Sequence, residues 1–182
     1  PLLEERMRAV LPICAAKGIK IVTNMGAANP EAAARKTADI AKSLGRSALK
    51  IAAIVGDDVL DACKDGDLKI MEFDGTIRQL GNRLLSANAY LGAEPMAQAL
   101  TSGADIVITG RCADSALALG ILVHEFQWKA DDYDRLAAGS LVGHILECGP
   151  QSTGGVHTDW EKVPGWENIG YPIASCKIDG SF

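Results

Sequence analysis

Three short apolar runs constrain this chain more than anything else in it. Ile19-Lys20-Ile21-Val22-Thr23, Leu49-Lys50-Ile51-Ala52-Ala53-Ile54-Val55 and Ala104-Asp105-Ile106-Val107-Ile108-Thr109 are rich in β-branched residues and too short for ordinary helices. The second is almost continuously apolar, the pattern of a parallel strand covered on both faces. Small polar residues follow each run, and then a helix-start signal. The clearest is Asn29-Pro30-Glu31: an N-cap, a proline at the first helical position and an acidic first turn. Strands that alternate with helices imply right-handed βαβ units. The expected fold is therefore α/β: a three-layer, mostly parallel sheet with helices on both faces, Rossmann-like but without a dinucleotide fingerprint. Parallel strands are predicted at about 19–23, 49–55 and 104–109.

The helices read less evenly. Leu3, Met7, Val10, Leu11 and Cys14 recur at amphipathic spacing over residues 2–17, with Gly18 as the stop. An Ala-rich helix runs from the Asn29 cap to Leu44 and stops at Gly45. A short helix is expected from Asp57 or Asp58, and another around Arg78–Leu85 inside a loop-rich stretch, 66–92. Glu94–Leu100, Ser115–Phe126 and roughly Asp131–Glu147 complete the set. From about residue 148 the chain turns loop-rich, with Gly149, Pro150, Gly154 and Gly155. The whole reads as one α/β domain over 1–182, or a fragment of one. It opens without Met and closes on turn residues, as a piece of a longer protein would.

Composition excludes several partners. A net charge of −5, with no Lys/Arg cluster longer than a pair, offers no basic footprint for nucleic acid. Aromatic residues are only 5% of the chain, too few for a base-stacking platform. No apolar run approaches the roughly 18 residues of a membrane span, and no signal peptide is present. Five cysteines without a CxxC pair read as reduced thiols of a cytoplasmic protein rather than a disulfide framework or a zinc site.

In open parallel sheets, ligands bind beyond the carboxyl ends of the strands. Three loops there carry the candidate site. Thr23–Asn29 offers Asn24, Gly26 and Asn29 as binding residues. Gly56-Asp57-Asp58 offers two carboxylates for proton transfer or for capping a short helix. Thr109–Ser115 offers Gly110 for close backbone approach, Arg111 as a forked cation, and Asp114 and Ser115 at a helix N-terminus. Together they suit a small anionic metabolite, a phosphate or carboxylate. Alternatively Asp114 or Ser115 only caps the helix, and Arg111 points to solvent or pairs with Asp114 or Asp58. Cys112 is the best-placed nucleophile, beside a helix N-terminus that would lower a thiol pKa, or it is a buried core thiol. Neither GxxxxGK[ST] nor GxGxxG is present, and no His spacing supports a metal, so no cofactor can be named. His124, Phe126, Trp128, Trp160 and Trp166 are expected to cover a second subunit of a homo-oligomer or the flanking parts of a longer chain.

Four blocks carry a resemblance. They are Ile21–Pro30 (IVTNMGAANP), Val55–Val59 (VGDDV), Thr109–Ser115 (TGRCADS) and Gly143–Gly149 (GHILECG). In that order, and across essentially the whole chain, the sequence resembles the acyclic terpene utilisation family, the AtuA-like proteins. That resemblance implies a place in acyclic terpenoid, branched acid and acyl-CoA breakdown, and additional sequence on both sides. It transfers no catalytic residue set. The function it implies is binding, or turnover, of an anionic acyl or carboxylate intermediate. The alternative is a non-catalytic binding or assembly subunit of the same pathway.

Overall fold

A computed structural model of the chain describes residues 2–64, 66–72 and 74–182; position 73 of the predicted loop-rich stretch lies outside them. The chain divides into two compact units, Pro1–Leu91 with Asp105–Cys112, and Gly92–Ala104 with Ala113–Phe182.

The first unit holds the sheet. Its strands are β1 (Ile21–Thr23), β2 (Ile51–Ile54) and β3 (Ile106–Thr109), in the order β1-β3-β2 and all parallel. Ile106 stands level with Ile21 on one side and Ile51 on the other. Each strand is shorter than predicted. Ile19 is lost to β1 because its N–H closes the preceding helix on the Cys14 carbonyl, at 2.9 Å. That helix, α1 (Leu2–Lys17), ends at the expected Gly18, which sits at φ +65. Helix α2 (Pro30–Ser43) starts at the expected Asn29 cap, whose side chain accepts from the Ala32 N–H at 2.9 Å. It ends with Arg46 N–H on the Ala41 carbonyl, beside Gly45 at φ +70.

Met7 and Leu11 of α1 and Ile40 and Ala41 of α2 close over Ile106 and Ile108 of β3. The α1 stripe is narrower than its sequence pattern, since Val10 is exposed. Val107, on the opposite face by strand alternation, is fully buried. Helix α3 (Leu60–Lys64) begins later than the start expected at Asp57 or Asp58. The predicted helix near 78–85 is a 3-10 segment, Ile77–Arg83, broken at Gly81.

The second unit is helical. It contains α4 (Glu94–Thr101), α5 (Ala116–Phe126) and α6 (Tyr133–Cys148), then single 3-10 turns at Gly149–Gln151, Trp160–Lys162 and Trp166–Asn168. Its core is Leu122, Trp128 and Val142, with Phe126 tilted against Trp128 at 5.6 Å. Trp128, expected to cover a second subunit or the flanking parts of a longer chain, is instead buried within its own unit at 5% exposure, and Phe126 is half-buried beside it. The Trp128 indole donates to the Ile178 carbonyl at 2.9 Å, and Ala174 and Cys176 pack beside it. A segment 46 to 50 residues downstream covers the ring, a pairing that no local pattern encodes. Ser115, expected as a cap of α5, already has helical dihedrals (φ −78, ψ −12), so its hydroxyl caps nothing. Ala116 N–H instead closes on the Ala113 carbonyl at 2.8 Å.

Candidate binding site at the carboxyl edge of the sheet

Because the three strands are parallel, the residues that follow them share one edge of the first unit. Asn24 follows β1, Asp57 follows β2 and Arg111 follows β3. Asp57 organises that edge. Its side chain is buried, at 4% exposure. Its Oδ2 accepts from the Arg111 backbone N–H at 2.9 Å and from the Asn88 side-chain amide at 3.1 Å. Its carbonyl accepts from Ala89 N–H at 2.8 Å, while Leu91 N–H reaches the Arg111 carbonyl at 3.3 Å. Bridges Asp58–Asn88 and Leu91–Cys112 complete the lacing. Residues 88–91 are thus tied to the ends of both β2 and β3.

Two glycines make room for this. A Cβ on Gly110 would stand 2.4 Å from Asp57 Oδ1 and 2.5 Å from Oδ2. A Cβ on Gly26 would stand 2.6 Å from the Thr109 carbonyl, which accepts the Gly26 N–H at 3.1 Å. Both therefore serve close packing of loop on loop. The Thr109 hydroxyl is buried and has no hydrogen-bond partner among the described residues.

The other expected residues divide. Arg111 is exposed, and its guanidinium lies over the Tyr90 ring, 5.6 Å from the centroid. Within the first unit, and among the described residues, no carboxylate pairs with it. The alternative ion pair with Asp58 is not formed; Asp58 Oδ1 accepts the Leu60 N–H at 3.0 Å, at the start of α3. Asn24 is exposed, with its carbonyl accepting from Ala27 N–H. Asn29 uses its oxygen on α2, as above. Cys112 is buried and is not in a disulfide. Asp114 and Ser115 belong to the second unit; there Asp114 is exposed, and the Ser115 backbone lies against Gly143.

The histidines lie in the second unit. The Thr101 hydroxyl lies 2.8 Å from the Ala97 carbonyl and 3.0 Å from His124 Nδ1. His144 is exposed on α6. Two open grooves also occur there, of ≈ 630 Å³ along α4 and α5 beside His124 and ≈ 380 Å³ in the C-terminal loops beside Trp166. None of the expected site residues lines either. We place the candidate site at the sheet edge, because polar side chains from three separate segments converge there. No group of three or more His, Cys, Asp or Glu among the described residues could hold a metal.

The four blocks that carried the resemblance include all three strand-end loops. Over residues 1–182 the chain matches the model of the acyclic terpene utilisation family protein AtuA. It belongs to that family. Neither a curated protein nor a solved structure matches it. In this AtuA-family chain the residues that sequence reasoning missed are Asn88, Tyr90 and Thr109. Asn88 and Tyr90 fall in the loop-rich stretch without periodicity. The only signal there was their alternation with small Ala87 and Ala89, which is how a short extended segment reads.

Proposed function

We propose that this AtuA-family chain binds an anionic acyl or carboxylate metabolite of acyclic terpenoid and branched-chain acyl-CoA breakdown at the carboxyl edge of its sheet. One observation carries the reading: Arg111 is an exposed guanidinium with no carboxylate partner among the described residues of its unit, and it lies over an aromatic ring at the end of the central strand. An arginine that only held loops together would be paired. Here the holding is done by the Arg111 backbone, through Asp57, and the side chain is left to present its fork of N–H donors. Asn24, exposed on the same edge, adds an amide. The five thiols, none in a disulfide, support a reducing, cytoplasmic setting. The complete burial of Val107 opposite Ile106 and Ile108 supports a sheet covered on both faces, the three-layer arrangement.

The same geometry favours binding over turnover as the work of this edge. Catalysis would ask Asp57 and Asp58 to move protons and Cys112 to attack. Asp57 is buried in hydrogen bonds, Asp58 caps α3, and Cys112 is buried. Asp114 is the exposed carboxylate of the set.

The test is calorimetric titration of wild type and Arg111→Ala with 3-methylbutanoyl-CoA and with free 3-methylbutanoate, beside thermal melts. A hydrogen bond to a charged group is worth about 1.5–3 kcal/mol. Arg111→Ala should therefore weaken binding tenfold or more, with the melting temperature nearly unchanged. Arg111→Lys should recover part of the loss, since a point charge cannot reproduce the fork. A lower melting temperature with affinity unchanged would mean that the arginine is structural.

A further inference from the structure

We infer that Tyr90 is the positioning residue of this site: its ring fixes the plane of the Arg111 guanidinium, so that the edge selects anions able to present two oxygens side by side. The inference rests on the binding role proposed above for Arg111. It adds a residue, a geometry and a ligand preference that the arginine alone does not supply.

The backbone sets the ring. Tyr90 lies between two residues whose N–H groups are both bound, Ala89 to the Asp57 carbonyl at 2.8 Å and Leu91 to the Arg111 carbonyl at 3.3 Å. Asn88 is pinned on one side by its bridge to Asp58 and its amide bond to Asp57 Oδ2. Leu91 is pinned on the other by its bridge to Cys112. Tyr90 thus has a bonded neighbour on each flank, and its ring lies against the Arg111 guanidinium. The partner is set by the same atoms. Arg111 N–H is bound to the Asp57 carboxylate and Arg111 C=O to Leu91, so the roots of both side chains hang on one network.

The outcome is an exposed aromatic, 61% accessible, with a guanidinium 5.6 Å from its ring centroid. A free surface arginine samples many rotamers and loses that freedom on binding. One already resting on a ring has lost part of it, and its donor edge stays available because the ring takes only a face. Such an edge matches the two oxygens of a carboxylate or a phosphate. A single-atom anion cannot use both donors.

The experiment uses the whole chain and two readouts. Titrations with inorganic phosphate, 3-methylbutanoate and chloride compare wild type, Tyr90→Phe, Tyr90→Leu, Arg111→Ala and Tyr90→Leu/Arg111→Ala. Proton–nitrogen spectra of the arginine Nε–H groups report the ring directly. Tyr90→Phe should keep affinity within about twofold, because the face and not the hydroxyl is used. Tyr90→Leu should weaken phosphate and carboxylate binding by about two- to fivefold, the range for an exposed cation–π contact. Chloride should be unaffected, and the upfield ring-current shift of the Arg111 Nε–H should vanish. In the Arg111→Ala background Tyr90→Leu should cost nothing more. If Arg111→Ala lowers affinity but Tyr90→Leu does not, or costs the same with Arg111 absent, Tyr90 is no positioning residue while the binding role of Arg111 stands. If Arg111→Ala itself leaves affinity unchanged, the site reading falls and this inference with it.

Discussion

Adding one methyl group at Gly110 should dismantle the network beneath the site, and the geometry gives the size of the effect. Gly110 does not sit at positive φ, so Gly110→Ala carries no backbone strain and its cost is collision alone. The new Cβ would stand 2.4 Å, 2.5 Å and 2.6 Å from Oδ1, Oδ2 and Cγ of Asp57. That carboxylate must move, which lengthens the bonds from Arg111 N–H (2.9 Å) and Asn88 (3.1 Å). Each is worth about 1.5–3 kcal/mol with a charged acceptor, and overpacking adds about 1–3 kcal/mol. Allowing for partial rotation of the side chain, we expect a net loss of about 3 kcal/mol. At about 2–4 °C per kcal/mol for a chain of this size, the melt should fall by roughly 6–12 °C. Circular dichroism measures that melt, and hydrogen exchange of residues 87–91 locates it. Tryptophan fluorescence serves as the control, because Trp128, Trp160 and Trp166 all lie in the other unit. The decisive comparison is a double-mutant cycle. In an Asp57→Ala background the collision has no partner, so Gly110→Ala should cost less than about 1 kcal/mol there. An equal cost with and without the Asp57 carboxylate would refute the reasoning.

Two further outcomes follow from single groups. Thr109→Val removes a buried hydroxyl that has no partner among the described residues while keeping its shape, and should stabilise by about 1 kcal/mol in urea titration; a destabilised variant would show that the hydroxyl is bonded in solution. Burial raises the Cys176 thiol above its ordinary value of 9.0, so the stability tied to its protonated form is complete below that value and lost as pH rises through the folded one. Cys176→Ala should therefore flatten the loss of melting temperature as the pH rises above 9.0, and a slope equal to wild type would remove the claim.

The legible parts of this fold are those written locally. Asn29-Pro30 started α2, Gly18 and Gly45 stopped the first two helices, and three β-branched runs became three parallel strands. Parallel order then placed Asn24, Asp57 and Arg111 on one edge without further information. What could not be read was long-range. Residues 88–91 have no periodicity because they form single bridges and not a strand, and the atoms they bind are about 20 to 30 residues away in sequence. Trp128 looked like an interface residue because its cover, Ala174 to Ile178, lies in a stretch with no pattern. Asp57 and Asp58 looked equivalent, yet adjacent extended residues face opposite sides, so one was drawn inward and the other left at the surface.

That division puts the carboxylate inside and the guanidinium outside. Beyond the end of a strand, backbone N–H groups lose their ladder partners and need acceptors. A carboxylate is all acceptor, so one that follows β2 can satisfy N–H groups of neighbouring loops and become buried, as Asp57 does with Arg111 N–H and the Asn88 amide. A guanidinium is all donor. Among loops whose carbonyls already accept from other loops, as those of Asp57, Thr109 and Arg111 do, the described residues of its unit offer it no carboxylate, and it lies at the surface. An exposed ring then becomes the place where it can rest without losing its donors. The two candidate roles are therefore linked: the acid is held as a structural acceptor, and the cation lies exposed over the Tyr90 ring, where the proposed anion would meet it.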